Sequence, residues 1–193
     1  MTWHPSASLK TLRLRAELLA GLRTFFAARQ ILEVETPLLA SSGITDPAIE
    51  PFIVTDGDSV SAPRYLQTSP EYAMKRLLVA YGEPVYQIAK AFRDGEAGAR
   101  HNPEFSLLEW YRPGFDHHQL MDEVAELLAQ CLGPRPVSRI SYRELFVSNL
   151  GVDPMSASAD ELSALVRSKL DAGSMQGDRD LWLDLLMSHV LEP

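Results

Sequence analysis

The chain has 193 residues, 46% hydrophobic and 23% charged, which suits one soluble globular domain that buries roughly 70% of its unfolded surface. Its net charge of -8 and pI of about 5.1 leave no obvious basic patch for gripping nucleic acid. No apolar run approaches the ~18 residues of a membrane span, the first residues lack a signal-peptide apolar region, and a lone Cys131 rules out an internal disulfide framework, so cytoplasmic residence is the default.

Ser8 is placed to cap a helix reaching about residue 29, in which Leu9, Leu12, Ala16, Leu19, Leu22 and Phe26 recur at three- and four-residue spacing. That stripe suits either a core or a subunit interface, while Arg13, Arg15 and Arg23 suit a solvated face. Short strands are expected over 31–35, 51–55 and 64–67, with Asp56-Gly57 as turn chemistry. Ser69-Pro70-Glu71 is a strong helix start: a capping hydroxyl, a proline at the first helical position and an acid in the first turn. This helix should run to Ala80 or Tyr81 and stop at Gly82, with Lys75 and Arg76 on its solvated face.

Two longer strands follow, over 85–92 and 105–111, then an amphipathic helix over 119–132 that carries Cys131 as a small buried hydrophobe and is broken by Pro134 and Pro136. Ser141-x-x-Glu144 and Ser158-x-x-Glu161 are capping boxes, and 179–190 is a further helical stretch. Strands gathered in 31–112 with helices at both ends argue for an α+β fold, an antiparallel sheet flanked by helices.

The run FRDGEAGARHNPEFSLLEWY, residues 92–111, carries the most chemistry. Arg93 ends an apolar run and is followed by Asp94, Gly95, Gly98 and Arg100. A guanidinium forks onto phosphate oxygens, and glycines let the backbone come close to them. The connecting loop, of about ten residues, is longer than the two to five usual for a hairpin. The period of two then puts Phe105, Leu107, Glu109 and Tyr111 on one face. An aromatic plate, a carboxylate and a phenol suit an adenine ring and an amine. The plainer alternatives stand beside this: an ordinary hairpin, an Arg93 ion pair with Asp94 or Glu96, and Phe105 and Tyr111 as packing residues. Asp116-His117-His118 invites a metal, but adjacent histidines at a strand end point to opposite sides and read as turn residues.

These segments carry a family resemblance. Leu32-Glu33-Val34-Glu35-Thr36-Pro37, after a long amphipathic helix, resembles motif 1 of the class II aminoacyl-tRNA synthetases. Phe92-Arg93 through Tyr111 resembles motif 2, with HNPEF and LEWY similar to the lysine branch. Trp3-His4-Pro5-Ser6-Ala7-Ser8 and Ser69-Pro70-Glu71-Tyr72 are similar to the free-standing lysyl-tRNA synthetase paralogues that attach (R)-β-lysine to a lysine of translation elongation factor P. The resemblance covers nearly the whole chain. It implies activation of lysine or β-lysine by ATP with Mg²⁺, elongation factor P as partner, and homodimerisation through motif 1. Because the core begins within the first ten residues, the resemblance leaves no room for an anticodon-binding domain and makes tRNA an unlikely substrate.

By the same resemblance, Arg93 holds the α-phosphate of ATP, and Asp94, Gly95 and Glu96 belong to the nucleotide loop. His101 and Asn102 reach the phosphates or the adenine edge, and Phe105 lies beneath the adenine. Ser69, Pro70 and Glu71 form a substrate-binding segment. Within it Glu71 receives an amino group of the amino acid, or else only serves the helix N-terminus. Glu109 and Tyr111 read the side-chain ammonium. Two departures stand out. The usual motif 2 is Arg-x-Glu, but Gly95 holds the acid's place and Glu96 comes one later, so either Glu96 takes over the adenine contact or backbone makes it. Motif 3 and the acids that hold Mg²⁺ are expected beyond Pro193. That makes 1–193 the N-terminal portion of a class II catalytic core, a fragment or a truncated relative with little pyrophosphate exchange by itself. A tRNA-charging lysyl-tRNA synthetase and a non-catalytic paralogue that binds nucleotide, amino acid or a partner protein are the alternatives.

Overall fold

The computed structural model describes residues 3–55, 57, 62–99 and 101–192. Asp56 of the expected turn and Arg100 of the expected phosphate loop lie outside them. The chain forms two compact units, Met1–Arg135 and Pro136–Pro193, where composition alone suits one.

The first unit opens with α1 (Leu9–Ala28), capped as expected by the Ser8 hydroxyl, which accepts the Thr11 N–H. Only the C-terminal end of its apolar stripe is buried, at Leu22, Phe25 and Phe26; Leu9, Leu12, Leu14 and Leu18 are exposed. β1 (Leu32–Glu33) runs parallel to β5 (Val85–Phe92), which pairs antiparallel along its whole length with β6 (Glu104–Tyr111). β2 (Leu39–Ala40), β3 (Ile53–Val54) and β4 (Arg64–Leu66) make a second three-stranded sheet in the order β2-β4-β3. The architecture is mixed α and β, but the single antiparallel sheet is corrected to two small sheets, one containing a parallel pair. The long excursion between β1 and β5 returns the chain alongside its starting strand in the same direction, which no local turn signal records.

α2 (Glu71–Tyr81) ends at Gly82, whose φ of 69° is the left-handed conformation that glycine reaches without strain, and whose N–H caps the Leu78 carbonyl. α3 spans His117–Leu132, starting two residues before the expected point. Asp116 and Gln119 form a reciprocal capping box, so His117 and His118 are the first helical residues and not turn residues on opposite sides. Their rings lie 4.0 Å apart.

Strand alternation sorts the β5–β6 hairpin into two faces. One carries Tyr86, Ile88, Leu108 and Trp110, packed against Leu19, Leu22 and Phe26 of α1 and Leu127 and Cys131 of α3. Phe26 stacks on Tyr86 with centroids 4.3 Å apart. The other face carries Gln87, Ala89 and Ala91 opposite Glu109, Leu107 and Phe105. Anchoring one face in the helices fixes the register of the other, because a one-residue slip would exchange them.

The second unit contains α4 (Tyr142–Leu150), α5 (Ala159–Lys169) and α6 (Arg179–Leu186), followed by a π-helical turn, Met187–Leu191. Both expected capping boxes form. Phe146, Leu162, Val166, Trp182 and Leu186 make its core. Among the described residues no helix is long and apolar enough to cross a membrane.

Candidate active site

Ladder pairing of β5 and β6 ends at Phe92 and Glu104, and the Arg93 N–H closes the loop onto the Pro103 carbonyl at 2.9 Å. The Arg93 side chain is therefore launched from the last rung of a hairpin. Its Nε donates to the Thr68 carbonyl at 3.4 Å, its Nη1 lies 3.5 Å from Glu96 Oε1, and its guanidinium carbon sits 5.1 Å from the Phe105 ring centre. Of the two ion pairs considered from sequence, the one with Glu96 forms. It is long and partly exposed, so it is worth at most ~1 kcal/mol and yields readily to a phosphate.

Arg93, Gly95, Glu96, Ala97, His101, Asn102 and Phe105 line one cleft of about 500 Å³. Every described residue expected in the nucleotide loop is on its wall except Asp94 and Gly98. Asp94 builds the loop instead: its Oδ1 accepts the Gly95 N–H at 2.8 Å, and its own N–H bonds the Glu50 carbonyl at 2.8 Å. Gly95 has φ 76°, a conformation disfavoured for any residue with a Cβ. The loop thus turns at the position where an acid would ordinarily stand, and Glu96 follows with its side chain in the cleft.

Further along the same strand face lies a second cluster. α2 begins one residue later than expected, with Pro70 rather than Ser69 at its N-cap position and no side-chain cap. Ser69 Oγ still accepts the Glu71 N–H at 3.1 Å, and it donates to Glu109 Oε2 at 2.7 Å. Pro70 is buried and fixes the first helical turn, with its carbonyl accepting the Met74 N–H. The Tyr111 hydroxyl donates to Glu109 Oε1. Each Glu109 oxygen accepts one bond and keeps further lone pairs. Burial, then the hydrogen bond to Glu109, pushes the Tyr111 phenol well above its ordinary value, so it stays protonated.

Glu71 pairs with Lys75 one turn on. That bond, with the Glu71 charge, holds the Lys75 ammonium above the usual lysine value. Lys75 is exposed, as the solvated-face reading has it, but its partner is a candidate site residue; the Glu-to-Lys spacing of four was the available signal.

Residues 67–69 tie the two clusters together: the Gln67 carbonyl accepts the Phe92 N–H, the Thr68 carbonyl accepts from Arg93, and Ser69 reaches Glu109. Thr68 escapes sequence reasoning because it acts through its backbone. Among the described residues no group of three or more His, Cys, Asp or Glu is placed to hold a metal ion.

The geometry is thus a cationic, aromatic cleft and a carboxylate–phenol pair on one strand face. Comparisons with known proteins agree on the family. The chain is 45% identical over 196 residues to the elongation factor P–(R)-β-lysine ligase of Pseudoalteromonas translucida (strain TAC 125), covering 99% of this chain and 60% of that protein. It is 45% identical over 194 residues to the ligase of the same name from Pasteurella multocida (strain Pm70), with coverage of 99% and 60%. The corresponding protein of Salmonella gallinarum (strain 287/91 / NCTC 13346) is 46% identical over 198 residues, with coverage of 100% and 61%. The chain therefore spans about 60% of the length of these relatives. The sequence profile of the class II tRNA synthetases (D, K and N) matches residues 1–146, and the chain belongs to that family.

Proposed function

We propose that the protein carrying this chain activates lysine or (R)-β-lysine with ATP and transfers it to a lysine of translation elongation factor P. One observation carries the reading: Arg93, just past the end of β5, stands over the Phe105 ring, and the Glu109–Tyr111 carboxylate–phenol pair lies further along the same face of β6 as Phe105. The names of the relatives supply the acceptor.

In the first step the amino acid carboxylate oxygen attacks the α-phosphorus of ATP. The bond to the bridging oxygen breaks, giving aminoacyl-adenylate and pyrophosphate. Arg93 exchanges Glu96 for the α-phosphate and stabilises the charge that grows on its oxygens. Phe105 supports the adenine. Glu109 accepts the side-chain ammonium, with Ser69 and Tyr111 holding its two oxygens in place. Glu71 releases Lys75 to take the other amino group. In the second step a neutral lysine ε-amine of the acceptor attacks the activated carbonyl, AMP leaves with the bonding electrons, and the amine proton passes to solvent. Catalysis is positioning and charge stabilisation, and no side-chain nucleophile is needed. Mg²⁺ is expected to accompany ATP, but the described residues form no site that fits it, so no step is assigned to it.

The same reading makes the protein a cytoplasmic homodimer. The exposed Leu9 and Leu12, which share one face of α1, support the pairing. The test is transfer of labelled lysine or (R)-β-lysine to elongation factor P or to tRNA. Label should appear on the protein acceptor, and Arg93→Ala should lower the rate by ~10²–10³. Label on tRNA alone would reject the assignment of acceptor.

A further inference from the structure

Among the described residues Glu123 is the only buried carboxylate, at 5% exposure, and the chemistry above does not use it. It projects from α3 onto the end of β6. Its Oε2 accepts the Trp110 indole N–H at 2.9 Å, and its Oε1 lies 3.3 Å from Arg112 Nε and 3.9 Å from Arg29 Nε. A buried charge of this kind is retained only when its partners compensate its desolvation. Here the partners flank one residue: Trp110 and Arg112 are the chain neighbours of Tyr111. Their side chains lie on the helix-packed side of the strand, and Tyr111 projects from the other.

We infer that Glu123 is a positioning residue for the Tyr111–Glu109 pair, and so for recognition of the substrate's ammonium, because one carboxylate on α3 grips the strand on both sides of Tyr111. The inference rests on the assignment of Glu109 and Tyr111 as the amine pocket.

Tyr111 sits at the end of its strand, where such a grip has most effect. Val85–Tyr111 is the last rung of the hairpin, and among the described residues β6 pairs with β5 alone. Strand ends without a neighbour fray at little free-energy cost. The Tyr111 hydroxyl must nonetheless stay within reach of Glu109 Oε1. Trp110 is further held by Phe26, 5.6 Å between ring centres, and Arg112 lies over the Phe115 ring at 4.3 Å. The buried Arg112 Nε has no hydrogen-bond partner, so what binds it to Glu123 is charge. Replacing the carboxylate by an amide would keep the Trp110 bond and remove the charge that holds Arg112, while Arg29 keeps Glu126 at 2.6 Å and the Phe25 carbonyl at 3.0 Å.

The experiment uses the full-length protein, with L-lysine and Mg·ATP as separate titrants. Glu123→Gln should weaken L-lysine binding about tenfold and leave Mg·ATP binding within about twofold. In tyrosine ring-labelled protein, the Tyr111 signal should shift or broaden. Arg112→Met should act in the same direction by several-fold, and it serves as the second test if Glu123→Gln does not fold. Unchanged lysine affinity with an unmoved Tyr111 signal in a folded variant would overturn the inference. So would equal weakening of both ligands, which would mean general loosening. Glu109→Gln separates the two levels: if it leaves lysine binding intact, the pocket assignment itself fails, whatever Tyr111 does in Glu123→Gln.

Discussion

Gly95 and Tyr86 show how single residues shape the site and its support. Gly95 sits at φ 76° with open space where a Cβ would be, so Gly95→Ala meets no clash and pays only in backbone strain. That strain is roughly 1 kcal/mol, and it should appear as about fivefold weaker Mg·ATP binding with unchanged lysine binding. Tyr86 is buried beneath Phe26 and donates to Glu33 Oε2 at 2.9 Å. Burial, then that bond, pushes its phenol up to about 12. The folded value exceeds the unfolded value of about 10, so the folded state holds the proton more tightly. The contribution is fully present below about pH 10 and is lost as pH rises through the folded value. Urea unfolding should therefore show a fall in stability between pH 10 and 12 that is roughly 2–3 kcal/mol smaller in Tyr86→Phe. Equal slopes would contradict the contact. Arg93, Phe105, Glu109 and Tyr111 were legible in the sequence because local spacing determines their arrangement: a loop of known length and a period of two. Thr68 and Glu123 carry no such local signal, and Lys75 reads from the sequence only as part of a solvated face. Thr68 acts through its carbonyl, and Glu123 meets its partners only through helix packing.

At the scale of elements, termini were the most legible feature, since a cap is written in four adjacent residues. Ser8, Ser141, Ser158 and Gly82 all act as their positions imply. Ser158→Ala should destabilise the second unit by about 1 kcal/mol in denaturant unfolding, because it removes one half of a reciprocal box. α3 starts two residues ahead of its apolar spacing because Asp116-x-x-Gln119 forms a capping box there. Strand pairing was legible for β5 and β6, where one hairpin joins them. It was illegible for β1, whose partner lies some fifty residues on and runs parallel. Two-residue strands such as β1 and β2 owe their existence to neighbours rather than to their own sequence.

At the scale of the whole molecule, composition permits one folded unit while the contacts make two, each with its own apolar cluster. Hydrophobic content measures how much is buried, not how many centres it is divided among. The exposed leucines of α1 fall on two opposite faces, Leu9 with Leu12 and Leu14 with Leu18, and the first pair belongs to the stripe that the described residues bury further along at Leu22 and Phe26. If Leu9 and Leu12 form the proposed subunit interface, Leu9→Glu together with Leu12→Glu should turn a dimer into a monomer in sedimentation velocity, and an unchanged distribution would remove that face from the interface. The acidic balance does not oppose a nucleotide, since one arginine at a loop supplies the local cation.

The two-part cleft itself is tested most directly by amide chemical-shift mapping of the isotopically labelled protein during separate titrations with Mg·ATP and L-lysine. Mg·ATP should move residues 93–105 while L-lysine moves 69–71 and 109–111. Shifts from either ligand confined to other parts of the chain would contradict the two-part cleft.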